Sequence, residues 1–325
     1  MAKAYHHVTR DERSQIRLLK AMRYSVAAIA KQLKRHRSTI SREIKRNSGG
    51  RRSYNTKQAD KKATERRSAA SRKTKKMTPA LKGKIIKGIK EKWSPEQLSG
   101  RLKCSGACIS YESIYKLIRG DKQSGGELYE HLRHRGKRYK KRLNGKKAGR
   151  GCIPNRVDIS ERSKIVEEKS RIGDWEADTI IGAKNQGAIF SAVDRHSKFV
   201  VLERLNGKYA AEIVRAVKKR MVGFLAHTIT FDNGKEFSQH EEIALILNAS
   251  CYFAKPYHSW ERGLNEHTNG LARQYLSKRR NLNDVTDEEL ATIEASLNHR
   301  PRKVLGYKTP YEVFYNRLDP IASLI

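Results

Sequence analysis

At 325 residues the chain is long enough for about two domains of ordinary size, each able to bury a core. Its 70 lysines and arginines against 34 acids leave a formal charge of +36, more than an ordinary soluble enzyme needs for solubility. A polyanionic partner is the natural implication. The charge is uneven: residues 1–150 carry 44 basic and 11 acidic side chains, residues 151–325 carry 26 and 23, so one half is built to bind and the other does something else. A ribosomal protein or a basic disordered tail would show similar charge, but the balanced second half argues against both. No apolar run approaches the ~20 residues of a membrane span and the N-terminus lacks a signal-peptide core, so a cytoplasmic protein is expected. Four cysteines (Cys104, Cys108, Cys152, Cys251) suggest no disulfide framework. Cys104 and Cys108, with His131 and His134 downstream, match no common zinc spacing.

In chain order, Thr9 with Glu12 reads as a capping box, and Ile16, Leu19 and Met22 follow at helical spacing. A second apolar set, Ala27, Ile29, Ala30 and Leu33, leads through a polar break at Lys34 to Arg37 into a third helix, with Ser38 and Thr39 as cap candidates before Ile40 and Ile44. This is the layout of a helix-turn-helix, assigned to residues 1–48, although Lys34 stands in the turn where glycine is common. Arg37, Ser38, Thr39, Arg42, Lys45 and Arg46 are its candidate DNA contacts, on a recognition helix facing base edges and phosphates.

Residues 49–76 hold almost no large apolar side chain and are expected to be a basic linker, extended or as a solvated helix, along a phosphate backbone. Residues 77–120 form a second compact unit: Ile85, Ile86 and Ile89, then Ser94, Pro95 and Gln97 as cap, first-turn proline and capping-box partner, then a helix from Ser110 bearing Ile114 and Ile118. It reads as a second helix-turn-helix, with packing or dimerisation as its alternative use. Residues 121–160 return to basic linker composition.

From residue 161 to 325 the pattern changes to an α/β domain with a mixed sheet. Trp175 to Ile181, Gly187 to Val193 and Phe199 to Leu205 read as a three-strand meander, followed by a helix (Tyr209 to Phe224), a strand (Thr228 to Phe231), a helix (Glu241 to Leu247), a strand (Cys251 to Ala254) and a long helix from about Asn265 to Arg280. Three carboxylates come from three of these elements: Asp178 in WEADT, Asp232 in TFDNGKEF and Glu266 in GLNEHTNG. Converging acids repel one another unless a hard cation resides among them. Two such ions can activate the attacking oxygen and stabilise the leaving oxygen of an in-line phosphodiester displacement.

The segments GDWEADTI (Gly173 to Ile180), TFDNGKEF (Thr230 to Phe237), PYHSWERGLNEHTNG (Pro256 to Gly270) and LNHRPRKVLGYKTPYEVF (Leu297 to Phe314) resemble the IS-thirty family of bacterial insertion-sequence transposases. This family lies within the DDE group, whose catalytic domain is ribonuclease-H-like. The likeness covers essentially the whole chain, and the 33 residues between Asp232 and Glu266 match the family spacing. The resemblance implies that Asp178, Asp232 and Glu266 are the catalytic and metal-holding triad, with two Mg2+ ions, or Mn2+, per site. It also implies binding to the terminal inverted repeats and to target double-stranded DNA, assembly as a homodimer or higher homo-oligomer on that DNA, and a nucleoid-associated life in a bacterial cytoplasm.

Glu261 is the rival third acid, and Glu176 the rival first one, sharing a strand face with Asp178. Asn269 and Arg273, three and seven residues after Glu266, are candidates for holding the scissile strand, and Tyr257, His258 and Trp260 for stacking on an unpaired base. His267 and the stretch Tyr275 to Arg280 depart from the usual family pattern. Two other functions use overlapping features: a helix-turn-helix regulator with an idle second domain, and an integrase-like nuclease or recombinase.

Overall fold

The computed structural model describes residues 6–48, 54–73, 77–135, 153–255 and 263–318. The chain divides into two compact units, Met1–Thr78 and Pro79–Ile325.

In the first unit, α1 (Arg10–Ala21) opens on the expected capping box: the Thr9 hydroxyl accepts from the Glu12 amide at 3.2 Å and the Glu12 carboxylate accepts from the Thr9 amide at 2.8 Å. Ile16 and Leu19 pack with Ile29 and Ala30 of α2 (Val26–Gln32) and with Ile40 of α3 (Arg37–Asn47). The turn between α2 and α3 places Lys34 at φ 51°, the left-handed conformation that glycine adopts at least cost. The turn is therefore tight without the glycine. The cap of α3 differs from expectation: His36 stands at the N-cap and its Nδ1 accepts from the Ser38 amide at 3.2 Å, so Ser38 and Thr39 lie inside the first turn.

The stretch expected as a linker over 49–76 contains α4 (Thr56–Lys73), which packs back on α1 and α3. Tyr54, Ala59 and Ala63 are buried there, and nearly buried Arg13 reaches Glu43 at 2.7 Å and Asp60 of α4 at 2.8 Å. Small alanines let α4 approach closely, so a helix without large apolar residues still joins the core. The first unit thus extends past residue 48, which corrects the 48/49 boundary.

The second unit begins with α5 (Pro79–Lys90), α6 (Pro95–Cys104) and α7 (Tyr111–Gln123) around Ile85, Ile89, Leu98, Leu102, Ile114 and Ile118. Ser94 and Gln97 form the expected capping box of α6, and Ser110 caps α7. This trio is not separate from the α/β domain. Arg101 grips Glu312 with two nitrogens at 2.9 and 2.7 Å, Arg300 reaches Gln97 at 3.0 Å, and Gly100 lies so close under Tyr307 that a Cβ would sit 2.3 Å from the ring. The boundaries expected at 76/77 and 120/121 therefore do not mark an independent domain. Helix α7 runs on to Gln123, and residues 136–152 of the expected second linker lie outside the described residues.

After α8 (Lys164–Glu168) comes a five-stranded sheet of β1 (Asp174–Ile181), β2 (Ala188–Asp194), β3 (Val200–Leu205), β4 (Thr228–Phe231) and β5 (Ser250–Phe253) in the order β3-β2-β1-β4-β5. The first three form the antiparallel meander, while β4 and β5 run parallel to β1. Strand alternation sends Trp175, Ala177, Phe190 and Val201 toward α9 (Ala210–Arg220) and α10 (His240–Leu247). Ile180, Ile189, Val193 and Leu202 face α11 (Gly263–Ala272) and α12 (Asp287–Asn298). The edge strand β3 is closed by α12: Asn298 exchanges two 2.8 Å hydrogen bonds with the Val200 backbone, and Glu294 accepts from the Leu202 amide at 2.6 Å. Helix α13 (Pro310–Tyr315) ends the described chain. A helical region followed by a mixed α/β sheet covered on both faces is the arrangement expected.

One helix is shorter than its periodicity predicts. α11 ends at Ala272, and turn hydrogen bonds from Gln274 to Leu271 and from Tyr275 to Ala272 redirect the chain so that Leu276 and Leu282 enter the core.

Candidate active site

The β1–β4 ladder fixes where the first two acids stand. Asp174, Glu176, Thr228 and Thr230 pair in parallel register, Glu176 opposite Thr230. Two residues further along the chain come Asp178, within β1 and bonded from α11, and Asp232, one residue past the end of β4. Neighbouring strands are ~4.8 Å apart, so the two carboxylates share one small region. Both are partly exposed, which leaves them open to an incoming group.

Each aspartate is oriented by backbone. Asp178 Oδ1 accepts from the Thr179 amide at 2.8 Å, and Asp232 Oδ1 accepts from the Gly234 amide at 2.9 Å. Asp178 Oδ2 accepts from Asn269 Nδ2 at 2.9 Å, and Asn269 Oδ1 in turn accepts from the Ser191 hydroxyl at 3.0 Å. Ser191 is the direct cross-strand partner of Asp178. The sheet and α11 are thus pinned together at the acid. Glu266 is exposed in the first turn of α11, three residues ahead of Asn269 and so on an adjoining part of the helix surface.

Among the described residues no three His, Cys, Asp or Glu side chains stand close enough to cage a metal. The donors nonetheless suit a hard cation: the carboxylates of Asp178 and Asp232 offer hard oxygen ligands, and a third acid stands on the helix that bonds Asp178.

The neighbouring acids have other employment. Glu176 is buried, 3.1 Å from the buried Arg195 guanidinium, and accepts from the Asn265 amide at 3.1 Å, so it braces α11 against β1. Glu236, also buried, accepts from the Thr179 hydroxyl at 3.1 Å and pairs with Lys208 at 3.0 Å. Arg273, expected to hold DNA, donates Nη2 to the Ile181 carbonyl at 2.7 Å and keeps Nη1 buried. Its place is a brace between α11 and β1, and the geometry does not present it as a DNA contact. Tyr257, His258, Trp260 and Glu261 lie outside the described residues.

On α3, Arg37 is exposed in the first turn, and Arg42, Lys45 and Arg46 are exposed on the surface away from buried Ile40. Ser38 and Thr39 are partly covered, and the Ser38 hydroxyl accepts from Arg42 at 3.2 Å. Cys104 and Cys108 are free and exposed, while burial pushes the Cys251 thiol up to about 12.

Comparison with known proteins matches these features. Residues 4–47 fit a family described as "Helix-turn-helix domain". The transposase for insertion sequence element IS4351 of Bacteroides fragilis is 48% identical over 95% of this chain and 95% of its own. Transposase InsI for element IS30A of Escherichia coli K12 is 36% identical over 96% of this chain and 84% of its own.

The chain belongs to the IS30 (IS-thirty) family of insertion-sequence transposases.

A further member, the transposase for element IS1086 of Cupriavidus metallidurans, is 35% identical over 95% of this chain and 94% of its own. Among solved structures, the catalytic core of BIV integrase aligns with 44% of this transposase and 93% of its own chain, at 21% identity and a TM-score of 0.35. Two polar residues beside the acids of this IS30-family chain were not legible in its sequence. Ser191 is the one polar side chain inside the apolar run Ala188 to Val193, and an antiparallel pairing of β1 with β2 would have set it opposite Asp178. Glu236 lay unread within TFDNGKEF, where its burial is invisible without the fold.

Proposed function

We propose that this transposase binds the terminal inverted repeats of its element through α3, cleaves the DNA there, and transfers the 3′ ends to target DNA by divalent-metal-dependent transesterification. The observation that supports the reading is the β1–β4 register, Glu176 opposite Thr230, which leads to Asp178 two residues further along β1 and to Asp232 just past the end of β4, with Glu266 on the helix that bonds Asp178. Two Mg2+ ions, or Mn2+, held by these three carboxylates would activate the attacking oxygen and stabilise the leaving one.

The chain's own part is orientation. Asn269 and the Thr179 amide fix the Asp178 carboxylate, the Gly234 amide fixes Asp232, and the exposed position of Glu266 leaves it free to close on a phosphodiester brought between them. Water or a DNA 3′-hydroxyl serves equally as attacker, so one site both nicks and joins. Arg37, Arg42, Lys45 and Arg46 supply donors to base edges and phosphates from α3, with Ser38 and Thr39 at its start. Two element ends call for two copies of the chain, hence a homodimer or larger assembly on DNA, in a nucleoid-associated setting.

Removal of divalent metal with a chelator tests the division of labour. Cleavage and joining of a duplex carrying the element end are expected to stop while binding to that end persists. Loss of end binding along with the chemistry would count against it, and joining that survives chelation would dismiss the metal reading.

A further inference from the structure

Beside α11, between the α5–α7 trio and the chain that follows α12, lies a group of cations with no carboxylate partner among the described residues. Arg300 and Arg302 are 3% and 7% exposed, and neither has a carboxylate partner among the described residues. Arg300 donates Nε to Gln97 at 3.0 Å and Nη1 to Gln274 at 2.5 Å, both neutral amides. Arg302 donates Nη2 to the Leu297 carbonyl at 3.0 Å, while its Nε is buried with no hydrogen-bond partner. Lys92 sits 3.7 Å over the Tyr275 ring. Exposed Arg133 stands at the surface of the group, its guanidinium so near Gly270 that a Cβ there would come within 2.8 Å of it.

Burial, and then the charge of Arg300 and Arg133, lowers the Arg302 guanidinium to about 9. Arg300 falls to about 10 through burial and Arg133. Burial, Arg135 and Arg300 lower Lys92 as well. Amide oxygens satisfy donors but neutralise nothing, so among the described residues each buried guanidinium lacks the counter-ion that normally offsets its desolvation. An anion is the missing partner. A phosphate suits the planar fork of arginine, which donates two parallel bonds to adjacent oxygens.

The position names the phosphate. Gly270 lies four residues after Glu266 on α11, hence on the same helix flank, so Arg133 overhangs the surface that carries the third acid. A DNA strand entering the carboxylate site runs its backbone past this flank.

We propose that Arg133, Arg300, Arg302 and Lys92 form a phosphate pocket that holds one backbone phosphate of the DNA strand delivered to Asp178, Asp232 and Glu266. The proposal rests on the transposase reading above and adds a second anchoring point to it.

The experiment uses the full chain and a set of element-end duplexes in which single backbone phosphates near the cleaved end are replaced by neutral methylphosphonates. For the wild type, one position is expected to cost on the order of tenfold in binding or in strand joining. Arg133→Ala, an exposed substitution that spares the core, is expected to lose a similar factor on unmodified DNA and to be indifferent to the methylphosphonate at that same position. Arg300→Gln is expected to show the same indifference. If every position that matters to the wild type matters equally to both variants, the pocket holds no DNA phosphate and the proposal is overturned. A second arm compares thermal unfolding of the DNA-free protein in inorganic phosphate and in chloride at equal ionic strength. A phosphate-specific rise in Tm that Arg133→Ala abolishes, with no distinguished position in the duplex scan, would assign the pocket to a free phosphate-bearing anion and reject the DNA assignment. Absence of any end binding or chemistry by the wild type would instead refute the transposase reading itself.

Discussion

Asp178 accepts from two donors, the Thr179 backbone and the Asn269 amide, and the second bond ties the strand to the helix that carries Glu266. Asn269 was legible in the sequence as a residue on the helix flank of Glu266, but its helical spacing suggested a contact to DNA. Only the packing of α11 over β1 and β2 shows that its amide is spent on Asp178 and Ser191. The acids themselves were legible because each sits in a local pattern that needs no tertiary context: a strand, a strand end followed by Asn-Gly, and a helix start. Asn269→Ala is expected to raise the metal concentration required for half-maximal cleavage by about 10–100-fold, as loss of an outer-shell partner does, with end binding unchanged. A fall in rate that no excess of metal restores would show that Asn269 acts on something other than the carboxylate.

At the scale of elements, the helix starts were readable and the helix ends were less so. Thr9 with Glu12 and Ser94 with Gln97 are local reciprocal bonds, and both form as read. The end of α11 depends on where Leu276 must go, and the attachment of α4 depends on Arg13 meeting Asp60 forty-seven residues away, so neither is written in local periodicity. The docking of α6 is likewise distant: Arg101 meets Glu312, with side chains 15% and 6% exposed. Arg101→Ala removes the guanidinium from that buried carboxylate, which keeps its bond from the Thr309 amide, and is expected to cost on the order of 3 kcal/mol of stability, measurable by denaturant unfolding; a change below ~1 kcal/mol would mean that the trio docks by apolar contact alone. In the first unit the Arg35 guanidinium bonded to Glu12 holds this carboxyl below its usual 4.5. A carboxylate depressed in the folded state contributes stability that is present above the unfolded value and lost as pH falls through the folded one. The stability difference between wild type and Glu12→Gln is therefore expected to be largest near neutrality and to shrink below about pH 4.5. A pH-independent difference in thermal unfolding would contradict that assignment.

Across the whole molecule, charge separates the tasks. The basic surplus in residues 1–150 was visible from composition, as was the balanced acid-bearing second half. Composition did not show that the second helical trio belongs with the α/β unit, because its partners Arg300, Tyr307 and Glu312 lie two hundred residues downstream. It also did not show that cations are buried beside α11. Within the described residues no helix is long and apolar enough to cross a membrane, in keeping with a protein whose large surplus of charge is directed at nucleic acid.

Glu266 is proposed to complete a carboxylate site for DNA cleavage and joining. The most direct test is incubation of the purified protein with Mg2+ and a labelled duplex of its own element end, for wild type and for Glu266→Gln. Cleaved and joined product is expected from the wild type only, with both proteins binding the end equally. Chemistry retained by Glu266→Gln would contradict the role of that glutamate, and binding without chemistry in both would make the chain a DNA-binding regulator.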